Sequence, residues 1–156
     1  FGAYSNKHTS LAKLPNRAQG AIANDATNGG RALLLLQEAG LIKLDPQAGI
    51  TATPKNIINN PKNLRFRELE AATLPRVLNQ VDLALINTNY ALEAGLNPSD
   101  DALVIEGAES PYVNILVIKQ GNESKPGLVK LAAALKTPAV REFLLNKYQG
   151  AVAPAF

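Results

Sequence analysis

The sequence predicts an α/β fold, and three observations predict it. Short apolar stretches of strand length alternate along the chain with segments of helical periodicity. The chain has 156 residues, the length of one ordinary domain, able to bury roughly 68–70% of its unfolded surface. Hydrophobic residues make up 46% and charged residues 19%, a composition suited to a packed core rather than to disorder.

The elements follow in order. "GAIAN" (20–24) reads as a short strand ending at a polar loop. "GRALLLLQEAG" (30–40) reads as a helix closed by Gly40 in the left-handed position beyond its last turn. A short strand is expected at 50–53, followed by the turn-rich "NIINNPKN". "LRFREL" (64–69) alternates apolar and charged residues as a half-exposed strand does. "TLPRVLNQ" (73–80) suggests a short helix with Thr73 as N-cap and Pro75 in its first turn. "DLALIN" (82–87) is a compact apolar strand running into a brief helix, "TNYALEAGL", that ends at Gly95. Two further strands are expected at 102–107 and 114–119. Helices at 125–137 and 137–150 close the chain, the second with Thr137 and Pro138 as an N-cap and N1 pair.

Composition excludes several functions. The net charge is +3, and the 16 Lys and Arg are spread from Lys7 to Lys147, which argues against a nucleic-acid partner because that needs a clustered basic face. With no cysteine there are no disulfides, thiolate metal sites or cysteine nucleophiles. The single His8 sits in the polar "YSNKHTS" and reads as a surface histidine; neither a metal site nor a cofactor fingerprint is expected. The longest apolar runs, such as 32–36, fall far short of the roughly 18 residues of a membrane span. No methionine is present and no signal peptide opens the chain, so an upstream portion is expected to precede residue 1.

Asparagine is the unusual residue, with 15 copies. Asn24, Asn28, Asn87, Asn89 and Asn114 fall where expected strands meet loops, and in open α/β sheets ligands bind beyond the carboxyl ends of strands. An amide offers a donor and an acceptor without charge, which suits a zwitterion, although Asn also favours turns for its own sake. Arg31 poses a sharper question, because a cation in the first turn of a helix opposes the peptide dipoles at a cost of roughly 0.3–1 kcal/mol. Either it pairs locally, with Asp25 for instance, or it and the helix N-terminus hold an anion together, the guanidinium gripping a carboxylate with two charge-assisted hydrogen bonds.

"ANDATNGGRALLLLQEAGLIKL", "DLALINTNYALEAGL" and "SPYVNILV", supported by "NNPKNLRFRELEAATLPR" and the ending "YQGAVAPAF", together resemble the methionine-binding lipoproteins of bacterial ABC importers, the NlpA family of periplasmic-type binding proteins. The resemblance runs over essentially the whole chain, in order. It implies a type II periplasmic-binding-protein-like α/β fold with two lobes. "FGAYS" would be a crossing strand, 8–109 one complete lobe, and 1–7 with 110–156 the remnant of the other. The same resemblance implies a further N-terminal portion carrying a lipid-modified cysteine, hence an extracytoplasmic, membrane-anchored protein that delivers its ligand to an importer's permease and ATPase. It gives the ligand as methionine, places Arg31 on its α-carboxylate, and matches Asn28, Asn87 and Asn114 to positions with polar side chains on the ligand. The family usually carries proline where this chain has Ala26, a change expected to free the loop before Arg31.

Two other classes compete with this reading. Glu68 with Glu70, or Glu106 with Glu109, offer carboxylates for acid–base catalysis, but no nucleophile or metal cluster accompanies them and they read as exposed charges, so no enzyme is expected. The other possibility is a lobe that binds nothing by itself, or a binder of another amino acid or small peptide.

Overall fold

The computed structural model describes residues 1–107 and 110–156, in two compact units, 1–106 and 107–156. Glu109 therefore lies outside the described residues.

In the larger unit a five-stranded sheet is built from β1 (Gly2–Tyr4), β2 (Gln19–Ala23), β5 (Arg65–Leu69), β6 (Leu83–Ile86) and β7 (Ala102–Ile105), in the order β5-β2-β6-β1-β7. β2 pairs in parallel with both β5 and β6, and β1 is antiparallel to its neighbours β6 and β7. The inner strands are buried on both faces, and their side chains alternate between two cores as the period of two requires. Ala3, Ile22, Leu83 and Leu85 pack on one side with Leu33 and Leu36 of α1 (Ala26–Glu38). Tyr4, Ala21, Ala23, Ala84 and Ile86 pack on the other with Leu74, Val77 and Ala91.

The 20–24, 64–69, 82–87 and 102–107 strands appear within one or two residues of their expected bounds. α1 does not begin at Gly30. It starts four residues earlier, at Ala26, capped by Asp25, whose side chain accepts from the backbone N–H of Asn28. Its end is as read, with Gly40 at φ 74°. The strand expected at 50–53 is replaced by a 3-10 turn, Gly49–Thr51, and a second, Pro54–Asn56, closed by a reciprocal Thr53–Asn56 capping box. β3 (Lys43–Leu44) and β4 (Ile57–Asn59) form a small separate hairpin. The helix expected over 73–80 is a 3-10 helix, Ala71–Val77, with Thr73 donating back to the Glu70 carbonyl rather than capping. Pro75 inside it lacks an N–H and disfavours the α-helical ladder. α2 (Thr88–Glu93) follows β6, and α3 (Pro98–Asp101), capped by Asn97, precedes β7.

The smaller unit holds α4 (Pro126–Leu135) and α5 (Pro138–Tyr148), the latter capped by Thr137 with Pro138 at its first position, as read from the sequence. The expected strand over 114–119 is not formed; a strand is sustained by a partner that takes its backbone groups, and none of the described ladders includes this segment. None of the described residues of this unit is buried, and Ile115 and Val117 stand more than 70% exposed.

Candidate functional site

β2 and β6 are adjacent and parallel, yet their following connections leave to opposite faces, β2 into α1 and β6 into α2. Such a pair opens a crevice beyond its carboxyl ends, the usual ligand position in open α/β sheets. Asn24 to Asn28 follow β2, and Asn87 and Thr88 follow β6. β1 runs the other way, so Phe1 and Gly2 arrive at the same end, and Glu106 follows β7 there, its N–H donating to the Phe1 carbonyl.

Two of the asparagines singled out in the sequence meet directly. The Asn87 amide Nδ2 donates to Asn28 Oδ1 at 2.8 Å. Asn28 Nδ2 in turn donates to both oxygens of Asp25, at 3.2 and 3.0 Å. Burial works against the Asp25 charge, yet the Asn28 backbone and side-chain hydrogen bonds hold its carboxyl below the usual range. At the far end of this chain of amides, Asn87 Oδ1 is buried with no hydrogen-bond partner, a state costing on the order of 1–3 kcal/mol.

Arg31 lies one helical step beyond Asn28 on α1, close to the same face at i, i+3. Because α1 starts at Ala26, Arg31 sits in its second turn, outside the reach of the N-terminal dipole. The expectation of an anion held jointly by free helix N–H groups and Arg31 is therefore corrected: Asp25 caps the helix end, and Arg31 acts from within the helix. Its Nε donates to Glu106 Oε1 and Oε2 at 3.0 and 2.9 Å, and Nη2 donates to Oε2. The guanidinium also stands over the Phe1 ring, 4.8 Å from its centroid. The side chains of the ion pair are only 21% and 10% exposed.

Glu106 was read as an exposed carboxylate, and the structure corrects this. Its signal was its place just beyond β7, which becomes visible only once the strand order is known. Glu68 and Glu70 are exposed, as expected. Ala26 occupies the first position of α1, with Asp25 at φ −84° and ψ 148°, so the helix starts here without the proline. Asn114 lies in the smaller unit, exposed, in a segment without regular structure.

His8 is not the plain surface histidine expected. At the opposite end of the sheet, its Nε2 lies 3.1 Å from Asp82 Oδ1, and Asp82 Oδ2 accepts from the Gln19 N–H at 2.8 Å. The Gln19 N–H, with His8 beside it, keeps the Asp82 carboxyl below its usual range despite partial burial. Burial, reinforced by Asp101, pushes the Tyr4 hydroxyl up to about 12. Among the described residues no three His, Cys, Asp or Glu side chains gather to hold a metal, and no helix is long and apolar enough to cross a membrane.

Comparison with known proteins shows the family. A family model described as NlpA lipoprotein matches residues 1–156. The chain is 44% identical over 149 residues to the D-methionine-binding lipoprotein MetQ of Escherichia coli K12, covering 94% of this chain and 55% of that protein. It is 40% identical over 152 residues to a probable D-methionine-binding lipoprotein MetQ of Pasteurella multocida, covering 97% and 55%. The fold is similar to that of a nutrient-binding protein from Burkholderia cenocepacia bound to methionine, with a TM-score of 0.87 and 46% identity over 99% of this chain and 66% of that one. The chain thus spans about half the length of the curated relatives it matches.

Proposed function

The chain belongs to the NlpA lipoprotein family, and from that premise we propose that it serves as the ligand-capturing component of an ABC importer for amino acids, with methionine as the ligand. One observation carries the reading: Arg31, Asn28 and Asn87 gather beyond the carboxyl ends of β2 and β6, where the connections part to opposite faces. Arg31 takes the α-carboxylate, the guanidinium being suited to a forked grip on it. Asn87 supplies polar contact to the ligand, with Asn28 holding it from behind, and Asn114 enters on the family resemblance alone. The reading keeps 8–109 in one lobe and 110–156 with the other, whereas 1–7, expected with the latter, carry β1 inside the sheet of the former. Delivery to a permease and ATPase, an extracytoplasmic location and a lipid anchor belong to the same proposal. So does the absence of catalysis, which fits relatives named for binding rather than for chemistry.

Thermal unfolding with L-methionine, D-methionine and leucine tests it. A ligand at 100 times its dissociation constant adds about 2.7 kcal/mol, and for a chain of this length each kcal/mol raises the melting temperature by roughly 2–4 °C. A methionine-specific rise that Arg31→Ala abolishes, with the unliganded fold intact, is the expected result. A rise of equal size in the variant would remove Arg31 from the site. No rise with any of the three would make this chain a lobe that does not bind by itself.

A further inference from the structure

We propose that the end of the larger unit opposite the candidate site is a docking surface for anionic phospholipid headgroups, carried by Lys13, Arg17, Lys62 and Arg65. It rests on the proposed lipid-anchored location and not on methionine capture. Two long stretches of the chain, 1–24 and 46–67, contain no Asp or Glu, yet they hold seven of the 16 Lys and Arg, three in the first and four in the second. The fold joins these stretches at the amino ends of β2 and β5. The Arg17 N–H donates to the Lys62 carbonyl at 2.7 Å, and the Arg65 N–H to the Ala18 carbonyl at 2.9 Å. The Lys62 ammonium donates to the carbonyls of Ala12 and Leu14, both at 2.7 Å, on either side of Lys13. Lys13, Arg17 and Arg65 are exposed, and none of the four cations makes an ion pair among the described residues. The bordering acid, Asp82, is taken up by the Gln19 N–H and by His8.

Arg17 stands at φ 65°, in the left-handed region that favours glycine because a Cβ crowds the backbone there. The adjoining turn places an asparagine, Asn63, at φ 51°, a residue type that tolerates this geometry. What an arginine adds over glycine or asparagine at such a position is its charge. The partner follows from what accompanies that charge. None of the exposed large apolar side chains falls within 11–18 or 60–65, whereas a protein interface centres on apolar and aromatic anchors. The proposed extracytoplasmic location sets nucleic acid aside. Cations without anchors suit a fluid sheet of anionic headgroups, which adapts to them instead of presenting a fixed shape. Docked in this way, β2 and β6 would point their carboxyl ends away from the bilayer and leave the Asn28–Asn87 end open to solvent.

The test is cosedimentation of the full chain with vesicles of phosphatidylcholine alone and of phosphatidylcholine mixed with phosphatidylglycerol. Binding to the mixed vesicles alone is expected, and it should vanish between about 0.1 M and 1 M salt as the Debye length falls from about 10 to about 3 Å. Lys13→Gln with Arg17→Gly removes two charges and leaves the core untouched: Lys13 Nζ donates to the Thr9 hydroxyl at the surface, and glycine is at ease at φ 65°. Vesicle affinity is expected to fall roughly 20–30-fold in this variant, about fivefold per charge, with the urea midpoint not lowered. If it fails to fold, Lys13→Gln alone carries the test at about fivefold. Lys130→Gln with Lys136→Gln makes the same charge change at exposed positions of the smaller unit and is expected to shift affinity by less than about twofold. Equal losses in the two double variants would reduce the effect to net charge and overturn the proposal. Equal binding to both vesicle types overturns it as well. So does failure to bind the mixed vesicles, which would leave the surface to an acidic protein partner. None of these outcomes touches methionine capture, which the unfolding measurements decide.

Discussion

Gly30→Ala is the substitution whose outcome the structure fixes most tightly. Gly30 is buried in the second turn of α1, immediately before Arg31. A Cβ built there stands 2.2 Å from the Ile50 carbonyl oxygen, 2.9 Å from its carbon and 3.1 Å from the Ala52 nitrogen. Ordinary contact distances are about 3.5–4.0 Å between carbons, so the Gly49–Thr51 turn would have to retreat by roughly 1 Å. All three obstacles are backbone atoms, and no rotamer change relieves them. Against this, alanine improves intrinsic helix propensity by about 0.8–1.0 kcal/mol. Overpacking of a tight core costs about 1–3 kcal/mol, and a backbone obstacle belongs at the upper end. The net expectation is a loss of about 1–2 kcal/mol, read by urea unfolding at 25 °C followed by circular dichroism.

Gly127→Ala in α4 is the matched control. Its Cβ meets nothing within 4 Å, so propensity acts alone and stability rises, by up to about 1 kcal/mol. The same chemical change is thus expected to carry opposite signs in two helices. A Gly30→Ala variant as stable as wild type would mean that the Ile50 carbonyl does not rest on α1, and that contact with the Gly49–Thr51 turn does not require glycine there.

Three further outcomes are expected. Ala26→Pro stabilises by about 0.4–1 kcal/mol, because Ala26 is the first residue of α1 and Asp25 already has the extended geometry that a following proline requires; thermal denaturation reads the gain, and a loss would show that the helix begins elsewhere. The depressed carboxyl of Asp82 contributes stability that is present above its unfolded value of about 3.9 and is lost as pH falls through the lower folded value. Denaturant midpoints measured from pH 6 downward should therefore fall less steeply in Asp82→Asn than in wild type. The Tyr4 hydroxyl, pushed up to about 12, contributes stability that is full below about 10 and is lost as pH rises through the folded value. Ultraviolet titration should show one tyrosine ionising about two units late, and Tyr4→Phe should remove that step.

What the sequence made legible was mostly apolar pattern. β2, β5 and β6 stand out because an apolar run between turn residues is nearly sufficient for a buried strand. Thr137 and Pro138 mark the start of α5 because a cap and a first-position proline act locally. The first four residues of α1 are not legible as helix because "ATNGG" contains some of the poorest helix formers. Its glycines answer to tertiary contact instead. Gly29 lies under the Ala23 carbonyl, 2.9 Å from where a Cβ would be, and Gly30 under Ile50. The site was legible in its residues but not in their connections. Arg31, Asn28 and Asn87 stood out by position, whereas the Glu106 fork depends on β1 and β7 joining the sheet beside β6, a long-range pairing that no local pattern encodes.

The hydrogen bonds beyond the carboxyl ends of β2 and β6 also divide the labour between two residues the sequence treats alike. An ionised carboxylate only accepts hydrogen bonds, so Asp25 turns the Asn28 amide with its NH2 inward. That orientation leaves Asn28 Oδ1 toward Asn87 and obliges the Asn87 amide to present its own NH2 there. Asn87 Oδ1 is consequently the end of the chain, and it is the member left with an unmet acceptor. Asn28 uses both ends of its half-exposed amide on Asp25 and Asn87, while Asn87 carries a polarity set two residues away by a charge. An acceptor suits a donor, and an amino acid's ammonium is one. In the proposed site Arg31 would take the carboxylate of a zwitterion, while the enclosed Asn87 Oδ1 would meet an ammonium only after its side chain turned outward.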